Sequence, residues 1–206
     1  MIMENINFKT YDAPPINKKE ILRYAGAKEA TEQTEQLMVN CLEEISDKLI
    51  YKVCWGRFPI HSNQDFTNLF FVETPSKDLK KYLKNCSEII VFAATVGIEL
   101  DRAIARYSAI SPSRSHMMQA IGAERIESLC NTFCKEISKD MNSLGKSTLP
   151  RFSPGFGDLP LQIQSDIFRV LDPQRKIGVT LNGSLIMSPS KSVTAIIGIR
   201  DMKKDD

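Results

Sequence analysis

The sequence has little of what catalytic and metal sites are usually built from. Its 206 residues include only two histidines, His61 and His116, and neither has companions at the spacing of metal ligands. The five cysteines are odd in number and widely scattered, which argues against a disulfide framework and fits a reducing cytosol. No triad, dyad or metal cluster can be recognised, so we expect neither a catalytic side chain nor a bound metal.

Long apolar runs and strong net charge are also missing. No apolar run approaches the length that spans a bilayer. The first fifteen residues carry acids and prolines where a signal peptide would have a basic segment and an apolar core. We therefore expect a cytoplasmic protein with no membrane association. The net charge of +2 gives no general attraction to nucleic acid, so any recognition of an anion must be local.

What is present is an ordinary globular composition, 42% hydrophobic and 25% charged. Periodicity predicts helices at 18–24, 27–49, 77–83, 98–107, 113–144 and 161–171, and strands at 6–11, 50–58, 66–72, 89–95, 179–188 and 192–199. The short link at 189–191 predicts that the last two strands form a hairpin. Helices and strands mix without regular βαβ alternation, which favours a single α+β domain, 1–206, around an antiparallel or mixed sheet.

Local signals mark the ends of several helices. Asn17 is a plausible N-cap for the first helix, and Ser76 for the helix at 77–83, which is rich in lysine on one side. The strand at 89–95 is apolar throughout, which indicates burial on both faces. The Thr95-Val-Gly97 turn after it could hold an anion, as in a conventional methyltransferase, but the Gly-rich fingerprint of that fold is missing.

The long helix at 113–144 carries a broad apolar stripe and one carboxylate at its margin. At about 100° per residue, Glu127 lies one turn from Cys130 and two turns from Cys134. A partly buried carboxylate needs a cation or a hydrogen-bond donor, although a solvated helix-edge residue is the alternative. The two cysteines share a face and are expected to be core residues.

The stretch Arg151–Pro160 contains more conformationally special residues than any other. It contains two prolines that fix φ and two glycines that can adopt positive φ, namely Pro154, Pro160, Gly155 and Gly157. Arg151 offers a planar fork of donors for a carboxylate or phosphate. Asp158 occupies the position of an N-cap for the helix that follows. The residues alone allow a ligand platform or a rigid surface turn with an ordinary arginine.

A family resemblance separates these two interpretations. Arg151–Pro160, then Leu171-Asp172, Ile177–Met187 and Ser188–Val193, resembles in order and spacing the C-terminal activation domain of cobalamin-dependent methionine synthase. The resemblance is specific from 151 to 199, looser from residue 90 and weak before it. Chain length and the start Leu22–Gly26 look more like free-standing bacterial versions. The resemblance implies a long, twisted antiparallel sheet with flanking helices, and a shallow site for S-adenosylmethionine.

The resemblance also implies roles for individual residues. Arg151 would contact the ligand carboxylate, Phe152 would contribute backbone contacts, and Glu127 matches a ligand-binding glutamate within Ile126-Glu-Ser-Leu. Phe156 stands where the fused enzyme has a tyrosine near the cobalamin, which removes a hydroxyl but keeps an apolar contact. The remaining motif residues expected to line the ligand site are Ser153, Pro154 and Gly155. The family's early acidic residue has no clear match, and Asn17 is the nearest candidate.

The implied activity is repair of an oxidised cobalamin. The domain would present S-adenosylmethionine to cobalamin carried by a methionine synthase core or a related corrinoid protein, while a flavodoxin-like protein supplies an electron. Methylcobalamin would be restored from inactive cob(II)alamin without a protein base or nucleophile. The alternative is a non-catalytic docking module for another corrinoid methyltransferase, with a degenerate ligand site.

Overall fold

Five strands form one antiparallel sheet in the computed structural model, which describes residues 6–27, 30–63 and 65–202. The strands of this sheet are β1 (Asn7–Tyr11), β2 (Tyr51–Pro59), β6 (Glu88–Thr95), β7 (Lys146–Thr148) and β10 (Ser192–Asp201). Two smaller sheets consist of β3 (His61–Ser62), β4 (Thr67–Asn68) and β5 (Glu73–Thr74), and of β8 (Thr180–Leu181) and β9 (Met187–Ser188). The helices are α1 (Lys18–Tyr24), α2 (Glu32–Ile45), α3 (Lys77–Tyr82), α4 (Glu99–Ile110), α5 (Pro112–Ser143), α6 (Ile163–Leu171) and α7 (Pro173–Ile177), and Ser46–Lys48 forms a 3-10 turn.

The five-stranded sheet has the order β1-β2-β6-β10-β7, with every neighbouring pair antiparallel. Strand β6 is buried from Ile89 to Thr95, as its continuous apolar run predicts. Ile90 and Phe92 face a core covered by α1, α2, α4 and α5, while Ile89 and Val91 face a second core covered by α3, α6 and α7. The sheet therefore carries a core on each face.

Most of the predicted elements are confirmed. The α+β class, the edge strand β1, strands β2 and β6 and the long helix α5 are all present. Asn17 caps α1, because its Oδ1 accepts a hydrogen bond from the Glu20 N–H at 3.3 Å. The antiparallel pairing throughout the sheet excludes the parallel βα units of a conventional methyltransferase. No helix in the described part of the chain has the length and hydrophobicity that a membrane span requires.

Four element predictions are wrong or incomplete. Helix α2 begins at Glu32, because Thr31 caps it; of the predicted 27–49 helix, residues 28 and 29 lie outside the described ones. Of the predicted strand 66–72, only β4 is a strand, and it pairs with β3 and β5 in a small separate sheet. The predicted hairpin 179–199 is absent: β8 pairs with β9, while β10 lies between β6 and β7 in the main sheet. The stretch 172–178, for which no helix or strand is predicted, contains α7.

A buried ion pair joins the amino-terminal segment to α5. Glu124 and Arg125 are each 2% exposed, and their side chains meet at 2.6 Å. Arg125 also donates to the carbonyl oxygens of Pro14 and Pro15, at 2.6 and 2.8 Å. Glu124 accepts from the Asn17 N–H at 3.0 Å. Every charge in this cluster is matched by hydrogen bonds, so the pair holds the 14–17 segment against the helix.

We expect the variant Arg125→Met to lose about 3–5 kcal/mol of unfolding free energy, because it leaves the Glu124 charge buried without its cation. Urea denaturation followed by circular dichroism measures this loss. Lys9→Met is the matched control: the Lys9–Glu136 pair is 45% and 35% exposed, so its loss should stay below about 1 kcal/mol. Equal losses in the two variants would contradict the assigned role of the buried pair.

Candidate functional site

Arg151 is positioned by an irregular extension of the sheet beyond β7. The Leu149 N–H donates to the Gly198 carbonyl at 2.9 Å, and Phe152 and Ile196 exchange two backbone hydrogen bonds of 2.9 and 2.8 Å. Successive side chains of an extended segment point to opposite faces. Arg151 therefore lies on the α5 side of the sheet, and the ring of Phe152 packs in the second core.

The structure brings Arg151 and Glu127 together although they are 24 positions apart. Arg151 Nη2 donates to Glu127 Oε2 at 2.9 Å and to Asn131 Oδ1 at 3.0 Å. These three residues line a shallow depression of about 530 Å³, which is completed by Cys134, Leu149, Pro150, Ser153, Phe156 and Val193. One end of the depression is charged and the remaining wall is largely apolar.

Asn131 is the site residue that sequence reasoning missed. It follows Glu127 by four positions, so both side chains lie on the same face of α5. The spacing alone could have identified it once Glu127 was selected. An asparagine near an arginine has no specific sequence signature, however, and its contact with Arg151 depends on the extension that follows β7.

The Arg151–Glu127 pair is held loosely. Its side chains are 22% and 41% exposed, and pairs of this exposure contribute about 0–1 kcal/mol to stability. Burial alone would lower the pKa of the Arg151 guanidinium, but the neighbouring Cys130, Glu127 and Cys134 side chains have the larger combined effect. The pKa of the guanidinium is therefore raised. Both hydrogen bonds leave from Nη2, and the guanidinium carries further N–H groups on Nε and Nη1. An incoming carboxylate could therefore bind Arg151 at small cost.

The two cysteines beside this pair are neutral thiols. Burial raises the pKa of Cys130 to about 12 and that of Cys134 to about 11. Glu127, and not a cysteine thiolate, is accordingly the partner that forms the ion pair with Arg151. Cys130 belongs to the core, as predicted, whereas Cys134 is only partly buried and lines the depression.

The turn after Arg151 is closed by its own backbone. The Gly155 N–H donates to the Leu159 carbonyl at 2.9 Å, with Gly155 at φ +87°, and the Phe156 N–H donates to the Ser153 carbonyl at 3.1 Å. Pro154 is buried, and Ser153 is partly buried. The turn leaves the Phe156 ring 64% exposed at the rim of the depression. The predicted site residues 151–156 are thus adjacent in space, and their ligand roles stay predictions.

The second core supports the turn through two aromatic rings. Tyr82 packs against Phe152 with ring centroids 5.0 Å apart, and Phe152 lies 6.3 Å from Phe156. The Tyr82 hydroxyl donates to the Pro150 carbonyl at 2.6 Å and accepts from the Gly198 N–H at 2.9 Å. Because both backbone groups of Phe152 pair with Ile196, a ligand could use only the second lone pair of its carbonyl oxygen.

Asp158 does not cap the helix that follows, which corrects the sequence prediction. Its carboxylate accepts hydrogen bonds from the Ser76 hydroxyl and from the N–H groups of Lys77 and Asp78, at 2.8 and 3.1 Å. It therefore caps α3, some 80 positions earlier. The Ser76 hydroxyl and these amides lower its pKa below the ordinary 3.8, so the contact is complete above that pH and is lost as the pH falls through the lowered pKa.

Asn17, the candidate for the family's early acidic residue, lies outside the Arg151 depression. It lines a second depression of about 590 Å³, together with residues 14–19 and a polar face of α5. Asn131 lines both depressions, so they are neighbours on α5. The Asn17 side chain caps α1, which is the alternative role that the sequence allowed.

The fold and the site together define an α+β domain with a curled antiparallel sheet, flanking helices and a shallow, partly charged depression at the sheet edge. This fold is that of the MetH reactivation domain. The chain aligns over 100% of its length with the crystal structure of that domain bound to AdoHcy, covering 81% of that chain with a TM-score of 0.67 and 12% identity. No family model and no curated protein matches the sequence. At this identity the structural match establishes the fold alone.

Gly157 is the residue that allows the turn to approach α3. It has φ +54°, and a Cβ placed there would lie 2.2 Å from Asp78 Oδ2, whose carboxylate accepts from the Asp158 N–H at 3.1 Å. We expect Gly157→Ala to lose about 2–4 kcal/mol of unfolding free energy, because backbone strain adds to the loss of these hydrogen bonds.

Thermal and urea denaturation measure this effect against Gly145→Ala. Gly145 has φ +69°, but a Cβ there meets nothing within 4 Å, so only the strain of about 1 kcal/mol applies. Removing the Asp78 side chain in the Gly157→Ala background should make the two losses less than additive. A Gly157→Ala loss no larger than that of Gly145→Ala would refute the close approach.

Proposed function

We propose that this protein binds S-adenosylmethionine in the Arg151–Glu127 depression and docks on a cobalamin-dependent methionine synthase. There it supports the reductive methylation of inactive cob(II)alamin to methylcobalamin. The observation that carries the proposal is the Arg151–Glu127 pair, located in a depression of a fold whose solved relative is a reactivation domain bound to AdoHcy. The fold match contributes the ligand class, and the pair contributes the chemistry.

The two charges fit the amino-acid end of the ligand. Arg151 offers a fork of N–H groups for an α-carboxylate, and Glu127 offers a hydrogen-bond acceptor for an α-ammonium or a negative charge that attracts the sulfonium. Because the existing pair is partly exposed, its hydrogen bonds can be exchanged for those of the ligand at little cost. Ser153, Pro154 and Gly155 form the rigid floor of the adjacent turn, and Phe152 fixes it to β10.

The apolar part of the depression fits the remainder of the ligand. Leu149, Val193 and Phe156 line it beside the charged end. When bound, S-adenosylmethionine supplies the methyl group, and the cobalt of the partner's cobalamin receives it. This chain's own residues would orient the donor, and the activity would belong to the assembled complex. The flavodoxin-like electron donor would contact this protein only indirectly.

A second candidate keeps the docking role without ligand binding. The observation that favours it is the exposed ring of Phe156, where the fused enzyme has tyrosine: an apolar residue at the rim suits a protein contact even if no ligand is held. In this case the protein would dock on another corrinoid methyltransferase. Calorimetry separates the two candidates directly.

We expect titration calorimetry with S-adenosylhomocysteine and S-adenosylmethionine to show binding that depends on the charged pair. Arg151→Ala should weaken binding at least tenfold, because each charge-assisted hydrogen bond contributes about 1.5–3 kcal/mol. Glu127→Gln, which keeps the shape but removes the charge, should weaken binding less for a ligand that lacks the sulfonium.

Arg23→Ala is the control for this titration, because Arg23 forms a comparable pair with Glu20 on α1 at 2.6 Å. The affinity of the Arg23→Ala variant for both ligands should match that of the wild type. If the wild type binds neither ligand at millimolar concentration, the donor-binding function is refuted and the docking module is favoured.

Reactivation itself is tested with a methionine synthase core that lacks this domain. Mixing the core in its cob(II)alamin form with this protein, a reductant and S-adenosylmethionine should restore the absorption spectrum of methylcobalamin. We expect Phe156→Ala to slow the recovery by more than it weakens the binding of S-adenosylhomocysteine, because the ring lies at the exposed rim of the depression. Equal recovery rates would show that Phe156 does not contact the partner.

A further inference from the structure

Helix α3 has two chemically distinct sides. Leu79 is fully buried and Leu83, just after the helix, is 3% exposed, so the inner side packs in the second core. The outer side carries four lysines within eight residues, namely Lys77, Lys80, Lys81 and Lys84. With Asp65 and Pro75 they line a depression of about 590 Å³. We call these four residues the α3 lysine face.

The charge of this face is locally concentrated. The whole protein has a net charge of only +2, so four lysines on two turns are a strong local excess. Asp78, the acid within the helix, is already engaged with the Asp158 N–H. In residues 6–27, 30–63 and 65–202, no carboxylate forms an ion pair with Lys77, Lys81 or Lys84.

The α3 lysine face begins beside the exposed aromatic ring of the candidate site. Gly157, the neighbour of Phe156, approaches the side chain of Asp78, and Asp158 caps α3 through Ser76, Lys77 and Asp78. The helix and the Phe156 turn are therefore one rigid unit. A protein surface that covers Phe156 meets Lys77 within the first turn of α3.

We propose that the α3 lysine face is the basic rim of a docking surface, and that the partner presents an acidic protein surface against it. Phe156 supplies the apolar contact at the edge of this surface. An exposed aromatic residue beside a polar, solvent-accessible rim matches the anatomy of protein interfaces. The identity of the partner as a corrinoid protein rests on the proposed function, but the acidic character of its surface rests on α3 itself.

Electrostatics predicts how the α3 lysine face affects the rate of association with the partner. Rim charges accelerate association and set its salt dependence, while they change dissociation little. The Debye length is about 10 Å at 0.1 M salt, so the effect should fade as salt rises. The affinity of the Arg151 depression for S-adenosylhomocysteine should not depend on the α3 lysine face.

The test compares two double variants that change the net charge equally. Lys81→Glu with Lys84→Glu reverses the face, whereas Lys48→Glu with Lys139→Glu reverses two exposed lysines elsewhere. Fluorescence anisotropy measures binding of a labelled polyglutamate peptide at about 50 and 500 mM salt. At low salt the first variant should bind about tenfold more weakly and the control within about threefold of the wild type. At high salt the three proteins should converge.

A second arm measures the association rate with a cobalamin-carrying methionine synthase core, where the same order of effects is expected. Equal losses in the two variants, or no loss in the first, would overturn the proposal. Tighter binding of the wild type to a single-stranded DNA of equal charge, weakened by the same substitutions, would overturn it in favour of nucleic acid. If Lys81→Glu with Lys84→Glu destabilises α3, the double variant Lys81→Gln with Lys84→Gln is used in its place. Failure of S-adenosylhomocysteine binding alone would refute the proposed function and leave the polyglutamate result valid.

Discussion

The two hydrogen bonds between Phe152 and Ile196 hold the segment that carries Arg151 against the sheet. They extend the sheet beyond β7, place Arg151 over α5 and direct Phe152 towards Tyr82. Strand β10 belongs to the last part of the chain, yet it lies inside the sheet, paired with β6 and β7. The depression therefore depends on contacts between distant segments, which are the contacts that slow folding.

Two ion pairs on neighbouring turns of α5 behave differently because of their burial. Glu124–Arg125 is almost fully enclosed and matched by backbone groups, so it is permanent. Arg151–Glu127 is partly open to water, so its hydrogen bonds can be exchanged. One helix thus carries a fixed contact with the amino-terminal segment and a second pair whose hydrogen bonds are open to exchange. This division depends on which face each carboxylate occupies.

The predictions from the sequence are correct for elements whose signals are local. They fail where contacts between distant segments determine the structure. Strand β6 and helix α5 have continuous patterns, and the Asn17 cap needs only its neighbours. Asp158 has the right chemistry for a cap, but its helix precedes it by some 80 positions, which no local pattern shows. For the site, residue chemistry singled out Arg151 and Glu127 and a family resemblance gave them ligand roles, whereas Asn131 required the three-dimensional contact. The position of β10 between β6 and β7 was likewise inaccessible, because its apolar pattern suits any buried strand.

Trp55 is the sole tryptophan of the chain, and its ring lies 5.3 Å from that of Phe133 on α5. Phe133 also packs against Phe92 of the central strand, so this aromatic group joins the sheet to the helix that carries Glu127. The fluorescence of Trp55 is consequently sensitive to the packing of α5 against the sheet. A change in its emission when a ligand is added would record a displacement of the helix, without any label.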